Sequence, residues 1–335
     1  MNLNRLKILP LIALLPWTTA YAALMTPQQA VVSLHLEELA NTYKTTTENQ
    51  QPQQQNHLKA NTLLMDMGVI NADDLKHPQR LSHKLTQFVN DNLDTSENYL
   101  GNVHDENIVE RINHAWKYTK VIDDPKVLAQ LNQFIDKGYT TGYNVIDTDD
   151  LSHFHTLRTI RYGHNNIRHA DQLIYLMRIK GFDPKVQLSV KSSAFLYLAK
   201  WGKPTYPVTT LPSGKMVAVA KEYNLDFEFK SVQRKAQFMA LINQYAKKDS
   251  KNEKGLIYEA WWQPFYRSYT PMKGYDVLME NRIEIGNYQA QLMVLPEKAQ
   301  AQAEHIQRDA PKMQVHTLKT WVNPSFYRYM HGDYK

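Results

Sequence analysis

The sequence of 335 residues contains no cysteine, which excludes disulfide bonds, thiol catalysis and a lipid-carrying cysteine. Its 12 glycines form neither a phosphate-cradling loop nor a dinucleotide-binding fingerprint. The H-E-x-x-H, G-x-S-x-G and S-x-x-K motifs of zinc proteases and serine enzymes are missing as well. The sequence therefore predicts no cofactor and no recognisable catalytic class, and stability must come from the hydrophobic core.

The charge balance is close to even, with 39 lysines and arginines against 33 aspartates and glutamates. The basic residues are spread along the chain instead of forming a patch or a stripe. Nucleic-acid binding proteins show such a basic footprint, so this balance predicts no nucleic-acid partner.

The first residues follow the order of an export signal. Arg5 and Lys7 give a basic start, residues 8–17 are apolar, and a small-residue pattern ends at Ala22. We expect cleavage between Ala22 and Ala23 and a soluble periplasmic or secreted product. No later apolar run approaches the about 20 residues of a membrane span, so the mature chain is predicted to have none.

The remaining chain divides by pattern into two predicted domains, a helical domain over residues 23–150 and an α+β domain over residues 151–335. Thr26-Pro27 is a typical helix start, because a capping hydroxyl precedes a proline in the first turn. The glutamine-rich run 50–55 is of low complexity and predicts a loop.

The α+β domain contains a characteristic order of elements between residues 225 and 321. The pattern predicts β-α-β-β-α-β, with elements at 225–229, 232–246, 256–266, 282–294, 297–307 and 313–321. This order predicts a ferredoxin-like sandwich, in which two helices back an antiparallel sheet.

An aromatic stretch near residue 265 is the predicted binding surface. Its members are Trp261, Trp262, Phe265, Tyr266, Arg267 and Tyr269. Neighbouring residues on a strand point to opposite faces, so only one aromatic face can pack beneath the two helices. The other face requires the helical domain, a partner protein or a ligand as its cover, and stacked aromatics beside an arginine suit sugar rings or peptide side chains.

Histidines and carboxylates concentrate between residues 147 and 171. Weak candidates for metal ligands are His153, His155, His164 and His169. His164 and His169 are five residues apart and do not share a helix face, so the spacing predicts no metal site. An acid–base set of His164, His169 and Asp171 is the corresponding catalytic hypothesis.

Residues 164–186 resemble one unit of the transglutaminase-like and cysteine-peptidase fold, in which a nucleophile opens a helix that ends at a glycine before a strand. Asn166 stands at the nucleophile position, and an amide cannot be activated as a nucleophile. The resemblance implies a catalytically inactive relative. The alternative is that any amphipathic helix followed by glycine and a strand gives this pattern.

Two functions from different classes follow. The first is an exported, non-enzymatic binding or accessory protein of the periplasm, which recognises a partner protein or an envelope ligand through the aromatic surface. The second is an exported cell-envelope hydrolase, with or without a metal, built on the dispersed histidine and carboxylate set.

Overall fold

The computed structural model describes residues 24–34, 36–44, 51–92, 99–204, 206–245 and 265–333. The predicted signal peptide, Trp261, Trp262 and most of the predicted strand 256–266 lie outside the described residues.

The described residues form a closed antiparallel β-barrel. The strands are β1 (Gly101–Asn102), β2 (Gly142–Asp147), β3 (Thr159–His164), β4 (Lys185–Tyr197), β5 (Val208–Thr210), β6 (Met216–Glu228), β7 (Phe265–Ser268), β8 (Asp276–Ile285), β9 (Tyr288–Val294) and β10 (Val315–Val322). Eight of these strands follow the order β4-β2-β9-β8-β10-β7-β3-β6, and the pairing of β6 with β4 closes the ring. Strands β1 and β5 pair with β4 and β6 outside this ring.

Helices cover the outside of the barrel. They are α1 (Pro27–Ser33), α2 (Glu37–Ala40), α3 (Pro52–Asp66), α4 (Pro78–Asn92), α5 (Ile108–Tyr118), α6 (Pro125–Asp136), α7 (Ile167–Ile179), α8 (Val232–Tyr245), α9 (Ala299–Asp309) and α10 (Pro324–Met330). Helices α1 to α5, α7 and α8 share one apolar cluster with the barrel, and α6 and α9 share a second. None of the described helices is long and apolar enough to cross a membrane.

Strand β6 shows why the barrel has an apolar outer face and a charged interior. Tyr223, Leu225 and Phe227 point outward into the apolar cluster beneath the helices, whereas the alternating residues Glu222 and Asp226 point inward and are 5% and 1% exposed. Successive side chains of a strand face opposite sides, so covering the apolar face with helices forces the polar face into the barrel. The interior is therefore charged.

The predicted architecture, a helical domain followed by a ferredoxin-like α+β domain, is wrong. Strand β2 lies within the predicted helical domain and is a barrel strand paired with β4 and β9. The helices of the first half do not form a core of their own, because the apolar residues of α1 to α5 belong to the same cluster as those of β3, β4 and β6, and those of α6 pack with β2 and β9.

Local differences explain this error. The predicted strand 282–294 is a hairpin of β8 and β9, turned at Gly286, whose φ of +58° lies in the left-handed region. The predicted strand 225–229 is the end of the much longer strand β6, which begins at Met216. Helix α3 begins at Pro52, so most of the glutamine-rich run is helical. The helix start at Thr26-Pro27 is confirmed, with Thr26 as its capping residue.

Candidate functional site

Three arginines converge inside one end of the barrel. Arg161, Arg267 and Arg282 come from β3, β7 and β8, and with Asp226 they line a cavity of about 120 Å³. We call these arginines, together with Asp226 and Glu280, the arginine chamber. The register sets Arg161 opposite both Asp226 and Arg267. Like charges repel in a cross-strand pair, so the carboxylates are needed to hold the arginines together.

The first carboxylate forms a two-pronged ion pair. Arg161 donates from Nε to Asp226 Oδ1 at 2.7 Å and from Nη2 to Oδ2 at 2.6 Å. Parallel bonds of this kind are the strongest form of the arginine–carboxylate contact. They fix the plane of the Arg161 guanidinium within the chamber.

The second carboxylate, Glu280, serves two arginines and a tyrosine. It accepts from Arg267, from Arg282 Nε at 3.1 Å and from the Tyr269 hydroxyl at 2.9 Å. Burial alone favours its neutral form, but the charges of Arg267 and Arg282 outweigh burial and lower the pKa of Glu280 to about 2. Glu280 is therefore ionised at neutral pH although it is fully buried.

The chamber keeps an excess of positive charge. Among the described residues of the chamber, three guanidinium groups face two carboxylates, and the nearby Glu228 is paired with Arg158 at 2.8 Å. Arg267 is 2% exposed, and its Nε has no hydrogen-bond partner among the described residues. A buried donor without a partner is costly, and water or a ligand commonly supplies the acceptor.

A second cavity, of about 130 Å³, occupies the other end of the barrel. Its wall consists of Phe195, Phe265, Phe326 and Tyr329, and its floor carries Lys191 and Glu222. We call these six residues the aromatic chamber. Lys191 Nζ lies 3.3 Å from a Glu222 carboxylate oxygen, so the floor is polar but electrically neutral. Burial lowers the pKa of Lys191, and the neighbouring Glu222 opposes this effect.

A polar layer lies between the two chambers. Gln291 lines both cavities, Asn224 of β6 lies between the levels of Glu222 and Asp226, and Gln187 of β4 stands opposite Asp226. Asn224 Nδ2 and Gln187 Oε1 are buried without a hydrogen-bond partner among the described residues. The interior thus offers hydrogen-bonding groups along its length.

The described members of the predicted aromatic surface separate onto two sides of the barrel wall. Phe265 lines the aromatic chamber, and Arg267 and Tyr269 line the arginine cavity. Tyr266 points outward, with its ring centroid 4.8 Å from that of Tyr162 in the helix-covered core. The residues therefore do not form one exposed patch.

The histidines of the catalytic hypothesis lie outside the barrel wall. His164 ends β3 and His169 belongs to α7; their Nδ1 atoms are 3.1 Å apart and both residues are buried. Burial lowers the pKa of His169, which favours its neutral form. Asp171 accepts from Asn113 at 2.9 Å. Asn166 caps α7 by accepting from the Arg168 backbone N–H at 3.1 Å.

The other two metal candidates are placed differently. His153 is exposed, whereas His155 is buried and its backbone N–H donates to Glu228 at 3.1 Å. Within the described part of the chain, no three histidine, aspartate or glutamate side chains are grouped so that they could hold a metal ion.

Sequence reasoning missed most of the charged interior. Arg161, Lys191, Glu222, Asp226, Glu280 and Arg282 were not among the predicted site residues. The available signal was charge at alternate positions of strand-like segments, as in Glu222, Asp226 and Glu228 of β6. Such alternation normally marks a solvent face, so it indicates a functional interior only once the barrel is known.

Comparison of the chain with protein-family models, curated proteins and solved structures finds no match. The fold and the site together define a closed antiparallel barrel with a helix-covered outside and a charged, hollow inside. Function must therefore be inferred from the chemistry of that interior.

Proposed function

We propose that this chain is a non-enzymatic binding protein, exported from the cytoplasm, that holds a small anionic ligand in the arginine chamber. The observation that carries the proposal is the group of three arginines, with side chains 2–27% exposed, that line a hollow of about 120 Å³ and are paired with two carboxylates. That volume exceeds the about 10–15 Å³ needed for one water, so several waters or a carboxylate or phosphate group fit.

The arginine side chains suit an anion in both charge and geometry. Guanidinium groups match carboxylate and phosphate oxygens with two parallel hydrogen bonds, and they remain charged at all relevant pH values. Within a barrel the effective dielectric is lower than in water, which strengthens the attraction of a bound anion to the excess positive charge. The Arg267 Nε, which lacks a partner among the described residues, supplies a donor for the ligand.

Export is the second part of the proposal. It is supported by the pattern of residues 1–22, which lie outside the described residues. A binding protein outside the cytoplasm captures ligands from the surroundings or from the envelope, and a site enclosed by a barrel suits a small solute better than a polymer chain.

Isothermal titration calorimetry with phosphate and acetate tests the proposal. We expect one of these anions to bind with 1:1 stoichiometry and an affinity that falls with added salt. Arg282→Gln should weaken binding at least tenfold, because Arg282 lines the cavity and is partly exposed. Arg111→Gln is the matched control, since Arg111 is half exposed on α5 and should leave binding unchanged. Absence of binding by both anions at millimolar concentration would refute the proposal.

A further inference from the structure

The two chambers lie end to end along the same strands. On β3, Gly163 lines the aromatic chamber and Arg161 the arginine cavity, two residues apart. On β6, Glu222 and Asp226 occupy the same two levels, four residues apart. With a rise of about 3.3 Å per residue, these separations correspond to about 7 and 13 Å. A molecule that reaches from one chamber to the other must therefore bridge about 7–13 Å, past Gln291, which lines both cavities.

The aromatic chamber has the size and the lining of a site for one ring. Its volume of about 130 Å³ compares with the about 150 Å³ of an apolar protein cavity that binds benzene. Phe265 and Phe326 pack with ring centroids 4.3 Å apart, and Tyr329 lies 6.0 Å from Phe326. Aromatic rings at these distances stabilise a further ring by offset stacking or edge contacts.

Gly163 lines the aromatic chamber beside Asn224 of the polar layer, and the absence of a side chain leaves room there. A Cβ atom at Gly163 would lie 3.2 Å from Lys191 Nζ and 3.3 Å from a ring carbon of Phe265. Both distances are tighter than ordinary van der Waals contacts, so a larger residue would crowd the point where the aromatic chamber meets the rest of the interior.

We infer that the ligand is bipartite: an aromatic ring in the aromatic chamber, joined by a linker of a few bonds to an anionic group in the arginine chamber. This inference rests on the proposed function, because it adds the ring to the anion already assigned. The neutral Lys191–Glu222 floor favours an uncharged ring, whereas the positive excess of the arginine chamber favours an anionic group at the far end of the molecule.

Two pairs of probes test the inference by calorimetry on the mature chain. Phosphate is compared with 2-phenylethyl phosphate, and acetate with 3-phenylpropanoate, so the two arms also distinguish a phosphate from a carboxylate as the anionic group. We expect the ring-bearing member of one pair to bind at least tenfold more tightly than its simple anion.

Two variants test whether the increase in affinity comes from the aromatic chamber. Phe326→Ala and Gly163→Ala should each reduce the affinity for the ring-bearing probe to within about threefold of the affinity for the simple anion. The affinity for the simple anion itself should stay unchanged. Tyr175→Ala is the control, because this tyrosine is exposed on α7. Thermal melts show whether Phe326→Ala and Gly163→Ala are folded. If Phe326→Ala does not fold, Gly163→Ala alone carries the test.

The outcomes separate the two proposals. If a simple anion binds and the ring-bearing probe binds no more tightly, the bipartite ligand is refuted and the proposed function still holds. A gain that survives both chamber variants also refutes the bipartite ligand. If neither simple nor ring-bearing anions bind, the proposed function fails and the inference fails with it.

Discussion

Replacement of Glu280 by glutamine has opposite effects on stability and on binding. The change keeps the size of the side chain and removes the charge that holds Arg267 and Arg282. The pKa of Glu280 is about 2 in the fold against an ordinary 4.5. One pKa unit corresponds to about 1.4 kcal/mol, so the ionised form contributes roughly 3 kcal/mol at neutral pH. This value agrees with the about 3–5 kcal/mol that breaking a buried ion pair typically costs.

The same change leaves the arginine chamber with one more uncompensated positive charge. At about 6 Å and an effective dielectric of about 20, one unit charge changes the energy of an anion by about 3 kcal/mol. Relaxation of the freed arginines reduces this gain. We expect the affinity for the bound anion to rise at least tenfold, while the free energy of unfolding without ligand falls by roughly 3 kcal/mol.

Urea unfolding followed by tryptophan fluorescence measures the stability, and calorimetry measures the affinity. Glu284→Gln on the same strand is the control, since Glu284 is exposed and both quantities should stay unchanged. Because the folded pKa of Glu280 is depressed, its contribution is present above about pH 4.5 and is lost as the pH falls towards 2. The variant should lose this part of the acid sensitivity. Weaker anion binding by a folded Glu280→Gln protein would refute the charge argument.

Three further predictions concern other parts of the chain. Burial lowers the pKa of Lys235 on α8 to about 7. Between pH 7 and 10.5 the folded state therefore binds fewer protons than the unfolded state, and the free energy of unfolding rises with pH. Urea unfolding at pH 7.5 and 9.5 should show that this rise is smaller in Lys235→Met, by up to about 1.4 kcal/mol per pH unit. Asn166→Ala should cost about 1 kcal/mol in thermal melts, because it removes the cap of α7, and a cost near zero would contradict the capping role. Intact mass of protein from the periplasm should correspond to a chain that starts at Ala23, and a full-length chain in the cytoplasm would contradict export.

The local elements were largely predictable, because they depend on neighbours in sequence. Helix α1 follows from the capping pair Thr26-Pro27, and α8 and α9 follow from apolar spacing. The β8–β9 hairpin was also present in the sequence, since Gly286-Asn287 is a typical two-residue turn between strands. The single long strand β6 was harder to predict, because Lys221, Glu222 and Asn224 interrupt its apolar pattern.

The candidate site could be predicted only in fragments. Phe265, Arg267 and Tyr269 were singled out as an aromatic and basic stretch, and all three line a cavity in the barrel. Glu280, the partner of Arg267 and Tyr269, lies on another strand, and Asp226, the partner of Arg161, lies farther away in the sequence. No local pattern links residues that lie 11 to 65 positions apart.

The sequence by itself determined the absence of thiol chemistry, the turns and caps, and the alternation of apolar and charged residues along the strands. The tertiary structure alone decided which face of each strand turns inward. Alternation has a period of two and is the same for an open sheet and for a closed barrel. Only the pairing of β6 with β4 and the cover of helices on the apolar face place Arg161, Arg267, Arg282 and Asp226 around one hollow.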